Sequence, residues 1–266
     1  MASRLSHRVE SSGQRHPATE KAQSPQVPQV FVLAGGMGTR LREAIPGIPK
    51  VLAPIDQQPF LSYVLQRLYG QGIRDVTLCT GYLHDLLYRF YGQGETVGLR
   101  ISYSREFTPL GTGGALCQAR AEIRTDPLLV VNGDSYIEFS LNELMAYHRG
   151  THADVTIVAS PSDDVAASGN LTLAQTGRVT AFREKPRGHA RGLINAGVYV
   201  MSRHFLDFLC SHFSQEPISL EREGLPAFMQ AGGLVYGLPS NGYFIDIGTP
   251  ERYERARKQL PKELTK

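Results

Sequence analysis

The chain has 266 residues, 41% of them hydrophobic and 20% charged, which is enough apolar content for the core of one large globular domain or two small ones. Its formal net charge is only +3, and no dense block of Lys and Arg is interleaved with aromatic residues, so nucleic acid is not an expected partner. No apolar run approaches the roughly 20 residues that span a bilayer, so no membrane association is expected.

Residues 1–28 are rich in Ser, Gln, Pro, Arg and His, lack aromatic residues and show no apolar periodicity. This composition predicts a disordered tail without a signal peptide and assigns the folded domain to residues 29–266. The three cysteines, Cys79, Cys117 and Cys210, are far apart and form no CxxC pair, which argues against a disulfide framework and against a zinc site. A cytoplasmic protein with reduced thiols is therefore expected.

The first predicted element is a buried strand at residues 30–33, and a Gly-rich segment, residues 33–41, follows it. Strands and helices then alternate as far as Asn132-Gly133-Asp134. The predicted helices are 60–69, 82–91 and 113–123, and the predicted strands are 76–79, 99–103 and 128–131. This alternation predicts an α/β fold with a mostly parallel sheet covered on both faces. Ligands of such sheets bind beyond the carboxyl ends of the strands, where the Gly-rich segment and Asp134 would lie.

The pattern changes after Asp134. Residues 141–148 are predicted to form a helix, and residues 155–159 and 193–200 to form strands. Residues 171–173 and 179–182 flank a Gln-Thr-Gly turn and predict a hairpin. The segment 204–229 is predicted to be largely helix and loop. The sheet as a whole is therefore expected to be mixed.

The Gly-rich segment reads LAGGMGTRL, and Pro49-Lys50 follows a short proline-bounded stretch. Glycines let the backbone turn sharply and point successive N–H groups at phosphate oxygens. Arg40 can bind two phosphate oxygens at once, and Lys50 adds a second cation. The alternative is a tight turn without a ligand, since the segment fits neither GxxxxGK[ST] nor GxGxxG.

The string LAGGMGTRL with the downstream Pro49-Lys50 resembles the sugar-1-phosphate nucleotidyltransferases. The resemblance extends from about residue 30 to 257 and implies a Rossmann-like, GT-A-like fold with a mixed, mostly parallel sheet flanked by helices. It implies that Arg40 and Lys50 are catalytic. It also assigns the nucleotide to the Gly-rich segment, through Leu33, Ala34, Gly35, Gly36, Gly38 and Thr39.

Two aspartates are candidate metal ligands. Asp134 follows an apolar strand, where it is either a turn residue or a carboxylate beside phosphate-bound metal. Asp246 is flanked by apolar residues, and an isolated buried carboxylate is costly unless a metal, a helix N-terminus or a salt bridge stabilises it. The family resemblance implies that both bind Mg²⁺ and that Asp134 is catalytic.

The acceptor side is predicted at residues 169, 184, 185 and 195. By itself, Lys185 would be a solvated surface lysine. Asn195 lies in an apolar strand and needs a partner, which is either a sugar hydroxyl or a backbone group. The resemblance implies that Lys185 holds the sugar phosphate and is catalytic, that Glu184 binds sugar hydroxyls, and that Gly169 and Asn195 also contact the sugar phosphate.

Residues 109–114, PLGTGG, open a predicted helix and form either a plain βα loop or a platform for a base. The resemblance favours base and ribose contacts at Gly111 and Thr112, with Gly81 in the same wall. Glu106 falls where the family reads the base edge. A carboxylate accepts hydrogen bonds from both N1–H and N2–H of guanine but repels the carbonyls of uracil, so guanine is expected.

The expected reaction is direct attack of a sugar 1-phosphate on the α-phosphorus of a nucleoside triphosphate, with pyrophosphate leaving. Segments 109–114, 192–197 and 242–248 are most similar to guanylyltransferases that use D-glycero-D-manno-heptose 1-phosphate. Ser168-Gly169-Asn170 departs from them near the sugar, which leaves sugar identity open.

Alternatives within the family are mannose 1-phosphate with GTP, and uridylyl or thymidylyl transfer. A silent nucleotide-sugar-binding subunit is the non-enzyme alternative. Retention of all the predicted charged site residues argues against it. The expected partners are the two small-molecule substrates, and the resemblance also allows a homo-oligomer.

Overall fold

The computed structural model describes residues 27–41, 44–163, 169–184, 191–213 and 217–263. The predicted tail, apart from Val27 and Pro28, lies outside these ranges, and so does Lys185. For Glu184 only the backbone is described. None of the described helices is long and apolar enough to cross a membrane.

The described strands are β1 (Val30–Leu33), β2 (Pro54–Ile55), β3 (Gln58–Pro59), β4 (Asp75–Thr80), β5 (Arg100–Arg105), β6 (Leu128–Asn132), β7 (Ser135–Ile137), β8 (Val155–Ser162), β9 (Gly169–Leu173), β10 (Val179–Glu184), β11 (Gly192–Met201), β12 (Val235–Pro239) and β13 (Phe244–Asp246). The described helices are α1 (Phe60–Gly70), α2 (His84–Tyr91), α3 (Gly111–Gln118), α4 (Leu141–Gly150), α5 (Arg203–His212), α6 (Leu225–Gln230) and α7 (Pro250–Glu263).

Within the described ranges, nine strands form the central sheet. Seven of them run in the order β10-β9-β11-β6-β1-β4-β5, while β8 pairs with β11 and β12. Strands β6, β1, β4 and β5 are parallel, whereas β11 is antiparallel to β6, β8 and β9. The prediction of a mixed, mostly parallel Rossmann-like sheet is therefore confirmed.

Strand β1 shows why the sheet is covered on both faces. Val30 and Val32 belong to one buried cluster, while Phe31 between them belongs to the other. Successive side chains of a strand point to opposite faces, so a run of apolar residues buries both of them. Because β1 lies between β4 and β6, the Gly-rich segment leaves the middle of the sheet rather than an edge.

Most predicted elements of the first half are confirmed, including α1, α2 and the strands β4, β5 and β6. The predicted hairpin corresponds to β9 and β10. The predicted helix 113–123 is partly wrong, since α3 begins at Gly111 and passes into a 3₁₀ turn at Ala119–Glu122. The short strands β7 and β13 were not predicted, because three residues carry too little periodicity to be recognised.

The expectation that no cysteine is paired is wrong. Cys117 on α3 and Cys210 on α5 form a disulfide with their Cα atoms 5.4 Å apart. The two residues are 93 positions apart in sequence, so spacing could not reveal a pair that the packing of α3 against α5 creates. Cys79 remains a free thiol, and its burial raises its pKa to about 12.

Candidate active site

A cavity of about 480 Å³ lies beyond the carboxyl ends of β1 and β6. Nine of the predicted site residues line it: Gly36, Gly38, Thr39, Arg40, Lys50, Asp134, Gly169, Asn195 and Asp246. Its other lining residues, which sequence reasoning missed, are Met37, Asn132, Ser135, Glu221, Arg222, Phe244, Gly248 and Arg252. A larger cavity of about 860 Å³ lies beside the opposite ends of β1, β4 and β5 and contains none of the predicted residues.

The Gly-rich segment folds tightly around Lys50. Gly38 has a φ of +58°, and a Cβ at this position would lie 2.8 Å from the Cβ of Lys50. Both the left-handed backbone and the close approach therefore require glycine. Lys50 itself begins a single 3₁₀ turn after Pro49, which carries its side chain back toward the loop. Arg40 lies exposed at the rim of the same cavity.

Lys50 forms an ion pair with Asp134, the residue two positions beyond the end of β6. The Asp134 side chain retains 32% exposure and also accepts a hydrogen bond from Ser135 Oγ at 3.3 Å. Burial alone would raise the pKa of Asp134, but the attraction and hydrogen bond of the Lys50 ammonium outweigh it, so the pKa lies below its usual value. The carboxylate is thus held ionised inside the cavity.

Pairing of the short strands β7 and β13 brings the second carboxylate to the same place. Asp246 stands opposite Ser135 in this antiparallel pair, and the Ile247 N–H donates to the Asp134 carbonyl at 3.1 Å. Asp246 Oδ1 accepts from the Gly248 N–H at 2.8 Å, and Oδ2 accepts from Arg252 Nη1 at 2.7 Å. Asp246 is therefore stabilised by a salt bridge, one of the alternatives expected for a carboxylate flanked by apolar residues. Its carboxylate still lines the cavity.

The donor set fits a hard divalent cation. Among the described residues, no cluster of three or more His, Cys, Asp and Glu side chains could hold a metal without a substrate. Of the carboxylates that line the cavity, those of Asp134 and Asp246 are brought to the same place by the pairing of β7 with β13. One or two carboxylates plus phosphate oxygens and water are the ligands that Mg²⁺ typically takes in nucleotide-dependent enzymes.

The acceptor side of the cavity is formed by β9 and β11. Asn195 donates from Nδ2 to the Tyr199 hydroxyl at 2.6 Å and accepts from the Gly197 N–H at 3.0 Å. Its amide therefore has partners within the protein while it lines the cavity. Gly169 begins β9 and pairs with Glu184 at the end of β10.

A second wall is formed where the Gly-rich segment meets the ends of β4 and β5. It consists of Gly35, Gly81 and Glu106, and we call it the Glu106 wall. Glu106 Oε1 lies so close to both glycines that a Cβ on Gly35 would come within 2.7 Å of it. Glu106 Oε2 accepts a hydrogen bond from the Leu110 N–H at 3.2 Å. Burial raises the pKa of Glu106, and this hydrogen bond offsets part of the rise.

The predicted nucleotide residues outside the cavity lining have defined places. Leu33 ends β1, and the Ala34 N–H donates to the Cys79 carbonyl at 2.8 Å, which continues the pairing of β1 with β4. Gly111 and Thr112 form the first turn of α3. The Thr112 hydroxyl donates to Glu221 Oε2 at 3.0 Å, so it is connected to the cavity through a residue that lines it.

Two of the polar residues that sequence reasoning missed are Glu221 and Asn132. Glu221 belongs to the run Ser-Leu-Glu-Arg-Glu, which looks like a solvated helical face, and the structure folds it into a π-helical turn, Leu220–Gly224. Such turns are rare and often occur at functional sites. Asn132 lines the cavity, and its Oδ1 is buried and lacks a hydrogen-bond partner among the described residues.

The family model described as nucleotidyl transferase matches residues 29–263. The chain belongs to this family. It is 37% identical over 234 residues to D-glycero-alpha-D-manno-heptose 1-phosphate guanylyltransferase of Aneurinibacillus thermoaerophilus, which covers 87% of this chain and 98% of that protein. It is 36% identical over 230 residues to mannose-1-phosphate guanylyltransferase of Mycobacterium tuberculosis, covering 86% of this chain and 63% of that one.

Solved structures of the nucleotidyltransferases agree with this assignment. HddC from Yersinia pseudotuberculosis is 30% identical and superposes with a TM-score of 0.78 over 88% of this chain and 100% of its own. HddC complexed with GMP-PN superposes over the same share of each chain, at 31% identity and a TM-score of 0.77. The predicted resemblance and the prediction of an enzyme of this family are confirmed.

Proposed function

We propose that this nucleotidyltransferase transfers a guanylyl group from GTP to D-glycero-D-manno-heptose 1-phosphate and releases pyrophosphate. One observation carries the proposal: a single cavity holds the Gly-rich loop with the cations Arg40 and Lys50 and the carboxylates of Asp134 and Asp246. The chain also matches a heptose 1-phosphate guanylyltransferase over 98% of that protein's length. The product would be a nucleotide sugar for cell-surface glycan synthesis.

The reaction is a displacement at phosphorus. An oxygen of the sugar phosphate attacks the α-phosphorus of GTP, the bond from that phosphorus to the α–β bridging oxygen breaks, and pyrophosphate leaves with the bonding electrons. No general base is needed, because a sugar phosphate is already ionised near neutral pH. The work of the protein is positioning and charge neutralisation.

The cations of the cavity supply much of that neutralisation. Arg40 and Lys50 both line the cavity beside the Gly-rich loop, where the leaving pyrophosphate would be bound through loop N–H groups. Fixed cations stabilise the charge that develops on a leaving group at no cost in reorganisation. We assign Lys185 to the sugar phosphate, and Glu184, Asn195 and Gly169 to the sugar beside it.

Asp134 and Asp246 would hold Mg²⁺, as their position on one cavity and the lowered pKa of Asp134 support. When bound, this ion would withdraw charge from the reacting phosphate oxygens. Ion pairs within the chain orient both side chains: Lys50 pairs with Asp134, and Arg252 pairs with Asp246.

The Glu106 wall supports guanine as the base. Glu106 Oε1 lies over the two glycines that would contact the nucleotide, and a carboxylate accepts from the two adjacent N–H groups of guanine. Mannose 1-phosphate is a second candidate acceptor, because the mannose-1-phosphate guanylyltransferase of M. tuberculosis is almost as similar to this chain. We place the reaction in the cytoplasm, since both substrates are charged phosphates that do not cross membranes unaided.

Pyrophosphate release with a panel of substrates tests this proposal. GTP, UTP, dTTP and ATP are each combined with heptose, mannose and glucose 1-phosphates. We expect the highest kcat/KM with GTP and the heptose phosphate, and no comparable release from Asp134→Asn under the same conditions. A preference for UTP or dTTP would overturn guanylyl transfer, while a preference for mannose 1-phosphate would correct only the acceptor.

A further inference from the structure

One carboxylate, that of Glu221, lies between two parts of the site. The first is the segment 109–114, whose Gly111 and Thr112 we assign to the nucleotide and which we call the nucleotide loop. The second is strand β11, which carries Asn195 on the acceptor side. Its Oε2 accepts hydrogen bonds from the Thr112 hydroxyl at 3.0 Å and from Ser219 Oγ at 3.1 Å. Its Oε1 accepts from the Tyr199 hydroxyl at 3.0 Å. The same side chain therefore contacts α3, which opens with the nucleotide loop, and β11, which carries Asn195.

The segment that carries Glu221 is attached directly to the nucleotide loop. The Ile218 N–H donates to the Leu110 carbonyl at 2.7 Å, and the Gly113 N–H donates back to the Ile218 carbonyl at 2.8 Å. The Leu220 N–H donates to the Thr112 hydroxyl oxygen at 2.8 Å. These bonds fix the first turn of α3 against the π-helical turn, so movement of one requires movement of the other.

Tyr199, a side chain without access to solvent, connects Glu221 to the acceptor side. Tyr199 is fully buried on β11, and its hydroxyl accepts from Asn195 Nδ2 while it donates to Glu221. Burial, and then the Glu221 charge, raise the pKa of Tyr199 well above its usual value, so the phenol stays protonated and keeps this donor role. The direction of each hydrogen bond is thereby set.

We propose that Glu221 is a positioning residue that couples the nucleotide subsite to the acceptor subsite. Glu221 holds Thr112 directly and holds Asn195 through Tyr199. The conformation in which Thr112 is placed for the nucleotide is therefore also the one in which Asn195 is placed for the sugar phosphate. Binding of either substrate then favours binding of the other, and both are aligned for in-line attack. This inference rests on the proposed function for the identity of the two substrates.

The test measures coupling directly. The dissociation constant of a GTP analogue that cannot be cleaved between its α and β phosphorus atoms is determined by calorimetry with and without heptose 1-phosphate. For the parent protein we expect binding to be tighter by about fivefold or more when the sugar phosphate is present. In Glu221→Gln and Tyr199→Phe this ratio should fall to within about twofold of unity.

The same variants should lose turnover. Gln replaces one acceptor oxygen with a donor, so a hydrogen bond to the former carboxylate is lost, and kcat should fall roughly 10- to 100-fold. Glu223→Gln is the matched control: its carboxylate lies in the same turn, accepts from the Ser219 N–H at 2.7 Å and does not line the cavity. Thermal unfolding of each variant establishes that it is folded.

The outcomes separate this inference from the proposed function. A parent protein without coupling, or folded variants that keep the parental coupling, overturn the role of Glu221. Loss of coupling in Glu223→Gln to the same extent also overturns it, because the effect would then belong to the turn as a whole. If the parent turns over another pair of substrates, the proposed function is corrected and the coupling is measured with that pair.

Discussion

Replacing Glu106 by Gln tests the physical reason for choosing guanine. In the parent protein, Oε2 accepts from the Leu110 N–H at 3.2 Å, so Oε1 is the oxygen left over Gly35 and Gly81. Two N–H groups repel each other, so the Gln amide must keep its oxygen toward Leu110 and present its NH₂ group in place of Oε1. If Glu106 contacts the base as proposed, the edge of guanine would then face a donor in place of an acceptor.

The magnitude follows from this exchange. A buried donor left without its acceptor costs about 1–3 kcal/mol, so kcat/KM for GTP should fall roughly 5- to 150-fold. UTP and dTTP gain a donor for their carbonyls, so their kcat/KM should be unchanged or rise. The assay is the ratio of kcat/KM for GTP and UTP in parent and variant, with Glu143→Gln on the exposed face of α4 as the control. If Glu106→Gln leaves this ratio unchanged, Glu106 does not contact the base.

The pH dependence of this ratio gives an independent check. Burial raises the pKa of Glu106 above its ordinary value of 4.5, so protonation begins at a higher pH than for an exposed glutamate. A protonated carboxyl keeps one acceptor and gains a donor, which is the same change that Gln makes. The GTP preference should therefore decline as the pH is lowered from neutral through the pKa of Glu106. In Glu106→Gln the ratio should not respond to pH in this range.

Three further results are expected at the cavity. Asp134→Asn and Asp246→Asn should each remain folded but lose several orders of magnitude in turnover and weaken Mn²⁺ binding measured by electron paramagnetic resonance; unchanged turnover at saturating Mg²⁺ would exclude that residue as a ligand. Arg40→Ala should lower kcat with little change in the KM for sugar phosphate, and a change in that KM alone would argue against a role at pyrophosphate. Gly38→Ala should destabilise the fold by roughly 1 kcal/mol or more in a denaturant titration, whereas Gly36→Ala, where a Cβ meets open space, should change stability by less than about 0.5 kcal/mol.

The α/β class, the order of most elements and the position of the Gly-rich segment were predictable from the sequence. These features depend on residues close together in the chain: the buried run of β1, the glycines that follow it and the helix periodicity of α1. A long motif such as LAGGMGTRL is also recognisable locally, because its glycines and its cation, Arg40, belong to one segment. Such local patterns can be recognised without knowledge of the tertiary structure.

The contacts between residues far apart in the chain were not predictable from the sequence. Asp134 and Asp246 come together because β7 and β13 pair, and neither strand is long enough to be recognised from its own three residues. Glu221 contacts Thr112 and Tyr199 because residues 220–224 form a π-helical turn. The charged residues of this segment do not predict such a turn. Cys117 and Cys210 become bonded because α3 packs on α5. In each case the contact depends on the relative placement of whole elements, which long-range packing sets and local residue patterns do not encode.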